Sequence, residues 1–309
     1  MSADNAVWQS QNFMRRVSLA REIVRLADFA RSDLVVEIGP GKGIITEQLA
    51  QACSCVIAVE YDRSLCRHLV KSLGGIGNVK VICADFRQYD LPKHEYKVFA
   101  NIPFKITSDI VSKLTAGVRS PKDAYLTMQA EAARRFAGPP YDHESLKSLL
   151  LKPKFELSIL HTFRNTDFWP TPKADIVLLR IAQRRRSILT AAEDRMYRDF
   201  LCFVFSEHGA DIAARLGRIF TRLQIKRFAR DNGFSMSARV ADLSFAQWLA
   251  VFRYYRAGVV GDKRKLVEGA EKRLLLRQTG LTKIHRSRTL PGWQCSSDGG
   301  GNRHSGRAR

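Results

Sequence analysis

The chain has 309 residues, enough for one sizeable hydrophobic core and a small second one. Its 51 Lys and Arg stand against 30 Asp and Glu, a formal net charge of +21, so the expected partner is a polyanion. No apolar run approaches the ~18 residues of a spanning helix, which favours nucleic acid over a membrane surface.

The opening MSADNAVWQSQ lacks the charged start and apolar stretch of a secretory signal. With Asp4 and no Arg before Arg15 it also departs from a transit peptide, so a cytoplasmic protein is expected. From residue 34 to 182, strand-like and helix-like runs alternate: LVVEIGPG then ITEQLAQA, VIAVEYD then RSLCRHLVKSL, VKVICADF, YKVFANIPF then TSDIVSKLTAG, and AYLTMQ then EAARRFAG. Alternating units of this length predict a mostly parallel, doubly wound sheet, with ligands bound at the carboxyl ends of its strands. FELSILHTF and IVLLRIA, separated by the Pro-containing DFWPTPKAD, close the region as an antiparallel C-terminal hairpin. Residues 1–183 thus form an α/β domain.

Arg184, Arg185 and Arg186 mark a change of texture. Over residues 187–257 the apolar spacing becomes helical, as in MYRDFLCFVF and FAQWLAVFRYY, and predicts a small all-α domain. Residues 258–309 are basic and lose periodicity; they read as a partly disordered tail, with RKLVEGAEKRLLLRQ a candidate helix. The six cysteines, Cys53, Cys55, Cys66, Cys83, Cys202 and Cys295, show no paired CxxC spacing. A reduced protein without a metal site is expected, since Cys53 and Cys55 near His68 fall short of a zinc ligand set.

The glycines of EIGPGKG, Gly39, Gly41 and Gly43, lie between the first strand and its helix, where the backbone must turn sharply and approach a ligand. A dinucleotide and S-adenosylmethionine both suit such a loop, and both place an acid at the end of the second strand for ribose hydroxyls, here Glu60. The glycine spacing is not the G-x-G-x-x-G of dehydrogenases. Asp85 ends the third strand, where its carboxylate can accept from an adenine amine. Each acid alone could be a surface residue; in order on three strand ends they point to S-adenosylmethionine.

The fourth strand ends in Asn101-Ile102-Pro103-Phe104. An adenine N6 amine is a poor nucleophile because its lone pair is delocalised into the ring. Two acceptors aimed at its N–H groups favour the pyramidal, positively charging nitrogen of a methyl transfer. The Asn101 side chain and the Ile102 carbonyl can supply them. Pro103 fixes the carbonyl direction, and Phe104 offers a face on which a base stacks. The same peptide also suits an ordinary helix start, with Thr107, Ser108 and Asp109 close behind.

In these motifs the chain resembles the Erm-type rRNA adenine N6-methyltransferases of macrolide–lincosamide–streptogramin B resistance, over nearly all of residues 9–257. SQNF, EIGPGKG, VEYD, ADF and NIPF match the family motifs in order, and MQAEAARRFAG, FWPTPKADIVLLRI and LSFAQWLAVFRYY resemble its later segments. The resemblance implies a Rossmann-like class I methyltransferase fold with S-adenosylmethionine as cofactor. It places Gln11, Asn12, Met14, Gly39, Gly41, Glu60, Asp85 and Asn101 around that cofactor. Phe104 and Phe168 are then expected to stack on the target base, although Phe168 equally suits a core aromatic beside Trp169. The implied substrate is one adenosine of protein-free large-subunit (23S) rRNA, extruded from its stack, with the protein acting as a monomer. Arg134, Arg135, Arg184, Arg185, Arg186, Lys263, Arg264 and Lys265 are the expected RNA contacts.

The related small-subunit rRNA dimethyladenosine transferases share most motifs but more often read Asn-Leu-Pro-Tyr at the fourth strand, so NIPF leans to the Erm side. A non-catalytic nucleic-acid-binding factor on the same fold is the rival from another class. Against it stand the glycine loop, both strand-end acids and Asn101, all present together. A small-molecule or DNA adenine methyltransferase would share the tetrapeptide but not the Erm-like C-terminal segment.

Overall fold

The computed structural model describes residues 12–117 and 119–280. Seven strands form one sheet: β2 (Leu34–Ile38), β3 (Cys55–Glu60), β4 (Val79–Cys83), β5 (Lys97–Asn101), β6 (Asp123–Gln129), β7 (Phe155–Phe163) and β9 (Ile176–Gln183). Their order is β4-β3-β2-β5-β6-β9-β7. The first five run parallel, and β9 runs antiparallel to both β6 and β7. The central strands are near-continuous apolar runs because helices cover both faces. Val36, Ile38, Val98, Ala100, Leu126 and Met128 point into one core, with Val35, Val56, Phe99 and Tyr125 in the other.

The helices that cover the sheet are α1 (Val17–Leu26), α2 (Ile44–Ala52), α3 (Arg63–Leu73), α4 (Thr107–Thr115) and α5 (Ala130–Ala137), and α6 (Leu146–Leu151) follows, packed on α5. Asp62 caps α3 by accepting from the Ser64 and Leu65 backbone N–H groups, so the end of β3 is fixed where the chain turns. A two-residue strand absent from the sequence reading, β1 (Phe13–Met14), pairs antiparallel with β8 (Phe168–Trp169). The partners are Phe13 with Trp169 and Met14 with Phe168.

A second core belongs to α7 (Ala191–Ser206), α8 (Ile212–Leu216), α9 (Arg222–Asp231) and α10 (Phe245–Gly258), with Trp248, Phe200 and Phe252 wholly buried. Thr190, Thr221 and Ser244 each start a helix through a capping box. This unit does not end at residue 257. Two more helices, α11 (Asp262–Val267) and α12 (Ala270–Gly280), pack on α7 and bury Val267 and Ala270 in the same core. Asp199 accepts from the Gly269 and Glu271 backbone N–H groups at 2.9 and 3.0 Å, and Arg198 pairs with Glu271 at 2.5 Å. The expected boundary at 258 therefore divides a continuous helical unit. Residues 281–309 of the expected tail lie outside the described residues.

Candidate active site

The glycine loop joins β2 to α2. Gly41 and Gly43 have φ of 61° and 87°, a region that costs any residue with a Cβ. At Gly41 a second constraint applies, because a Cβ there would meet the Phe13 ring at 2.8 Å. The short strand β1 thus lies directly across the loop. Phe13, Met14, Gly39, Ile45 and Asn101 line one cleft between them. Gln11 lies outside the described residues.

Glu60, at the end of β3, is buried, and each of its carboxyl oxygens is held by a backbone donor. Gly41 N–H donates to Oε2 at 3.0 Å and Asp62 N–H to Oε1 at 2.9 Å. Burial raises its pKa, and these hydrogen bonds oppose the rise. A carboxylate has about four acceptor positions, so each oxygen keeps capacity for a ribose hydroxyl. Beneath the loop, Glu37 on β2 is only 2% exposed, and no donor or acceptor pairs with its Oε2 among the described residues. Burial, with the Glu60 carboxylate adding repulsion, pushes its pKa up to about 8. Glu37 is therefore mainly neutral at pH 7.

Asp85 follows β4 and sits with its carboxyl mostly buried. Arg87, two residues on, folds back on it: Nη2 lies 2.6 Å from Oδ2, and Nε lies 3.0–3.1 Å from the two oxygens. Burial alone would raise the Asp85 pKa, but the Arg87 hydrogen bonds and charge outweigh it and hold the carboxyl below its ordinary range. Lys113 from α4 fastens the same turn by donating to the Arg87 and Tyr89 carbonyls at 2.9 and 2.6 Å. The acid expected to hold an adenine amine is thus engaged by a guanidinium.

Asn101 ends β5. Its Nδ2 donates to the Asn12 carbonyl at 2.7 Å, which leaves its Oδ1 as the remaining acceptor. Ile102 donates its N–H to the Thr127 carbonyl at 3.1 Å, while its own carbonyl meets no donor among the described residues. Pro103, which has no N–H, accepts from Ile106 and starts a 3-10 turn over Phe104–Ile106 that leads into α4. Phe104 is half-buried and packs against the core that also holds Met14 and Phe168. Two backbone-anchored acceptors and a partly open ring therefore share one strand end.

Of the two readings of Phe168, base-stacking ring or core aromatic, its burial favours the core one. Its ring is 0% exposed and stands edge-on to Phe163, 5.2 Å between centroids, so it has no free face for a base. Alternation along the strand explains this: Phe168 turns inward with Met14, and the next residue, Trp169, turns out. Among the basic residues, Arg134, Arg185, Arg186 and Lys263 are exposed. Arg184 is held by Glu156 at 2.6 Å and by the Lys152 carbonyl. Arg135 pairs with Glu131, Lys265 with Asp262, and Arg264 reaches the Met196 sulfur. A hollow of about 350 Å³ beside α7 and α12 gathers the expected Lys265 with Arg218, Arg273 and Arg277, three basic groups that the sequence reading missed because they lie on separate segments.

No cluster of three or more His, Cys, Asp or Glu able to hold a metal occurs among the described residues. None of their helices is long and apolar enough to cross a membrane. The donor set fits S-adenosylmethionine: a glycine loop under an aromatic ring, a buried acid with spare acceptor positions, and a second strand-end acid.

Comparison with known proteins agrees with this chemistry. The family model described as ribosomal RNA adenine dimethylase matches residues 7–257. An rRNA adenine N-6-methyltransferase of Streptomyces fradiae is 31% identical over 249 residues, covering 80% of this chain and 77% of that protein. The ribosomal RNA small subunit methyltransferase A of Crocosphaera subtropica is 29% identical over 263 residues, covering 80% and 96%. Among solved structures, the 23S rRNA methyltransferase ErmE superposes with a TM-score of 0.74 at 28% identity, covering 79% of this chain and all of that one. With its Rossmann-like sheet and strand-end acids, the chain belongs to the ribosomal RNA adenine dimethylase family, enzymes that use S-adenosylmethionine to methylate the N6 amine of adenosine in rRNA.

Proposed function

We propose that the substrate is one adenosine of large-subunit (23S) rRNA, methylated before the ribosome assembles, and that the modification confers macrolide–lincosamide–streptogramin B resistance. The observation that carries this reading is the likeness to ErmE over the whole of that protein, helical unit included. The Asn101-Ile102-Pro103-Phe104 sequence leans the same way.

The bound cofactor supplies an electrophilic methyl group on sulfur. Gly39 and Met14 would border its methionyl end, Glu60 would take the ribose hydroxyls and Asp85 the adenine amine. Asn101 Oδ1 and the Ile102 carbonyl accept the two N–H groups of the target amine, which draws the nitrogen lone pair out of conjugation. Both acceptors are set before substrate arrives, one by the Asn12 hydrogen bond and one by Pro103, so little reorganisation remains. Phe104 stacks on the base, and the remaining rate enhancement comes from orientation. Extrusion of the adenine costs a few kcal/mol and is least for an unpaired base. Arg134, Arg185, Arg186 and Lys263 meet phosphates, and one protein molecule acts on one RNA.

Small-subunit rRNA is the second reading, favoured by the comparable identity to the small-subunit methyltransferase of Crocosphaera subtropica. The test offers labelled S-adenosylmethionine with naked large-subunit rRNA and, separately, with small-subunit particles, followed by nucleoside mass spectrometry. Methyladenosine in the large-subunit RNA alone is the expected result and counts the methyls. Dimethyladenosine in the small-subunit particle alone would overturn the proposal.

A further inference from the structure

We infer that Trp169 is a stacking platform for a base of the RNA next to the extruded adenosine, a contact that rests on the RNA reading above. Indole side chains are usually well covered, as Trp248 is here, wholly buried with its Nε1–H donating to the Val240 carbonyl at 3.2 Å. Trp169 is 59% exposed. It stands opposite Phe13 in the β1–β8 ribbon, and residues opposite each other in an antiparallel pair share a face. Phe13 in turn covers Gly41 and lines the cleft that contains Asn101. The open indole therefore sits on the rim of the catalytic cleft, one residue beyond the ring that turned inward.

The surroundings suit a nucleotide. Arg15 is exposed, and its backbone N–H extends the ribbon by donating to the Asp167 carbonyl at 3.0 Å. Arg16 and Arg164 flank the ribbon and share one carboxylate, Asp167, at 2.5 and 3.8 Å. Three cations against one anion favour phosphate beside an aromatic face. Stacking on such a face is tolerant of base identity, since every base has a π surface. The target adenine has its own acceptors and ring at Asn101 to Phe104, so Trp169 serves a flanking nucleotide.

The test titrates the full protein and its W169A and W169F variants with poly(A) and with heparin, a polyanion without bases. The emission difference between wild type and W169F isolates position 169. The expected result is quenching of that difference by poly(A) and not by heparin. Affinity for poly(A) falls about tenfold in W169A and no more than threefold in W169F, with labelled S-adenosylhomocysteine binding within twofold in all three. Equal quenching by both polyanions, or unchanged poly(A) affinity in W169A, would overturn the inference. The comparison of the two polyanions needs no alanine variant, so it stands even if W169A folds poorly. Selective poly(A) quenching by a protein that methylates neither rRNA would keep the platform and sink the proposed reaction.

Discussion

The Asn101 side-chain amide donates to the Asn12 backbone carbonyl across 2.7 Å, joining the end of β5 to the segment that crosses the glycine loop. This one bond decides which way the amide faces. Replacement of Asn101 by Ala removes both the acceptor and the tether, and kcat for methyl transfer is expected to fall by about 10²–10³, the range for a preorganised polar group in a transition state. Asn101→Asp should be no better, since its carboxylate would face the Asn12 carbonyl without a donor. Single-turnover transfer to rRNA checks this; a loss confined to the KM for RNA would show that Asn101 acts in binding alone.

If Asp85 takes the cofactor's adenine amine as proposed, Arg87 competes for the same carboxylate. Arg87→Met leaves Asp85 free and should tighten S-adenosylhomocysteine binding by roughly threefold to tenfold, the scale of one exposed charge-assisted contact. Asp85→Ala should weaken it by tenfold or more, about 1.4 kcal/mol. Isothermal titration measures both. Weaker binding by Arg87→Met would mean that the guanidinium supports the site instead of competing for it.

Glu37 makes stability fall with rising pH. Its folded pKa, about 8, lies above the ordinary value of 4.5, so the folded state binds a proton that the unfolded chain releases. The stability this proton represents is complete below about pH 4.5 and is lost as pH climbs through 8. Glu37→Gln should flatten that slope and raise the melting temperature most at pH 8–9, a gain on the order of a few kcal/mol. Melting curves from pH 5 to 9 for both proteins decide it, and parallel curves would rule out Glu37 as the titrating group.

Asp199 holds the turn between α11 and α12 by two backbone hydrogen bonds. Asp199→Ala should cost about 1–3 kcal/mol. Truncation after residue 258 should destabilise the helical unit further by exposing the core around Val267 and Ala270. Cofactor affinity should survive both changes, because the cleft belongs to the sheet. Thermal melts with and without S-adenosylhomocysteine separate the two effects.

The sheet was legible because β-branched runs alternate with helical spacing, and its seven strands fall where those runs lie. Gly39, Met14 and Asn101 converge on one cleft because each ends or adjoins a strand. The rest depends on register and on partners remote in sequence. Two-residue strands such as β1 and β8 have no periodicity to read. Which of Phe168 and Trp169 faces solvent follows from their pairing with Met14 and Phe13, over 150 residues earlier in the chain. RKLVEGAEKRLLLRQ was legible as a candidate helix, but its break at Gly269 into α11 and α12 and its packing on α7 were not, because basic residues dominate it and its contacts to the core, buried Val267 and Ala270 and partly buried Leu274, are sparse. Arg87 was not singled out among the many cations of a basic chain, although it lies only two residues from Asp85.

The ladder that pairs Phe13 with Trp169 has a thermodynamic consequence. One strand of it covers the glycine loop proposed to receive the cofactor, and the other carries the rim proposed to meet RNA. A ligand that immobilises either strand immobilises its partner, so the second ligand finds part of the ordering already done. The two ligands are then linked: whatever factor S-adenosylmethionine adds to RNA affinity, RNA must return to S-adenosylmethionine.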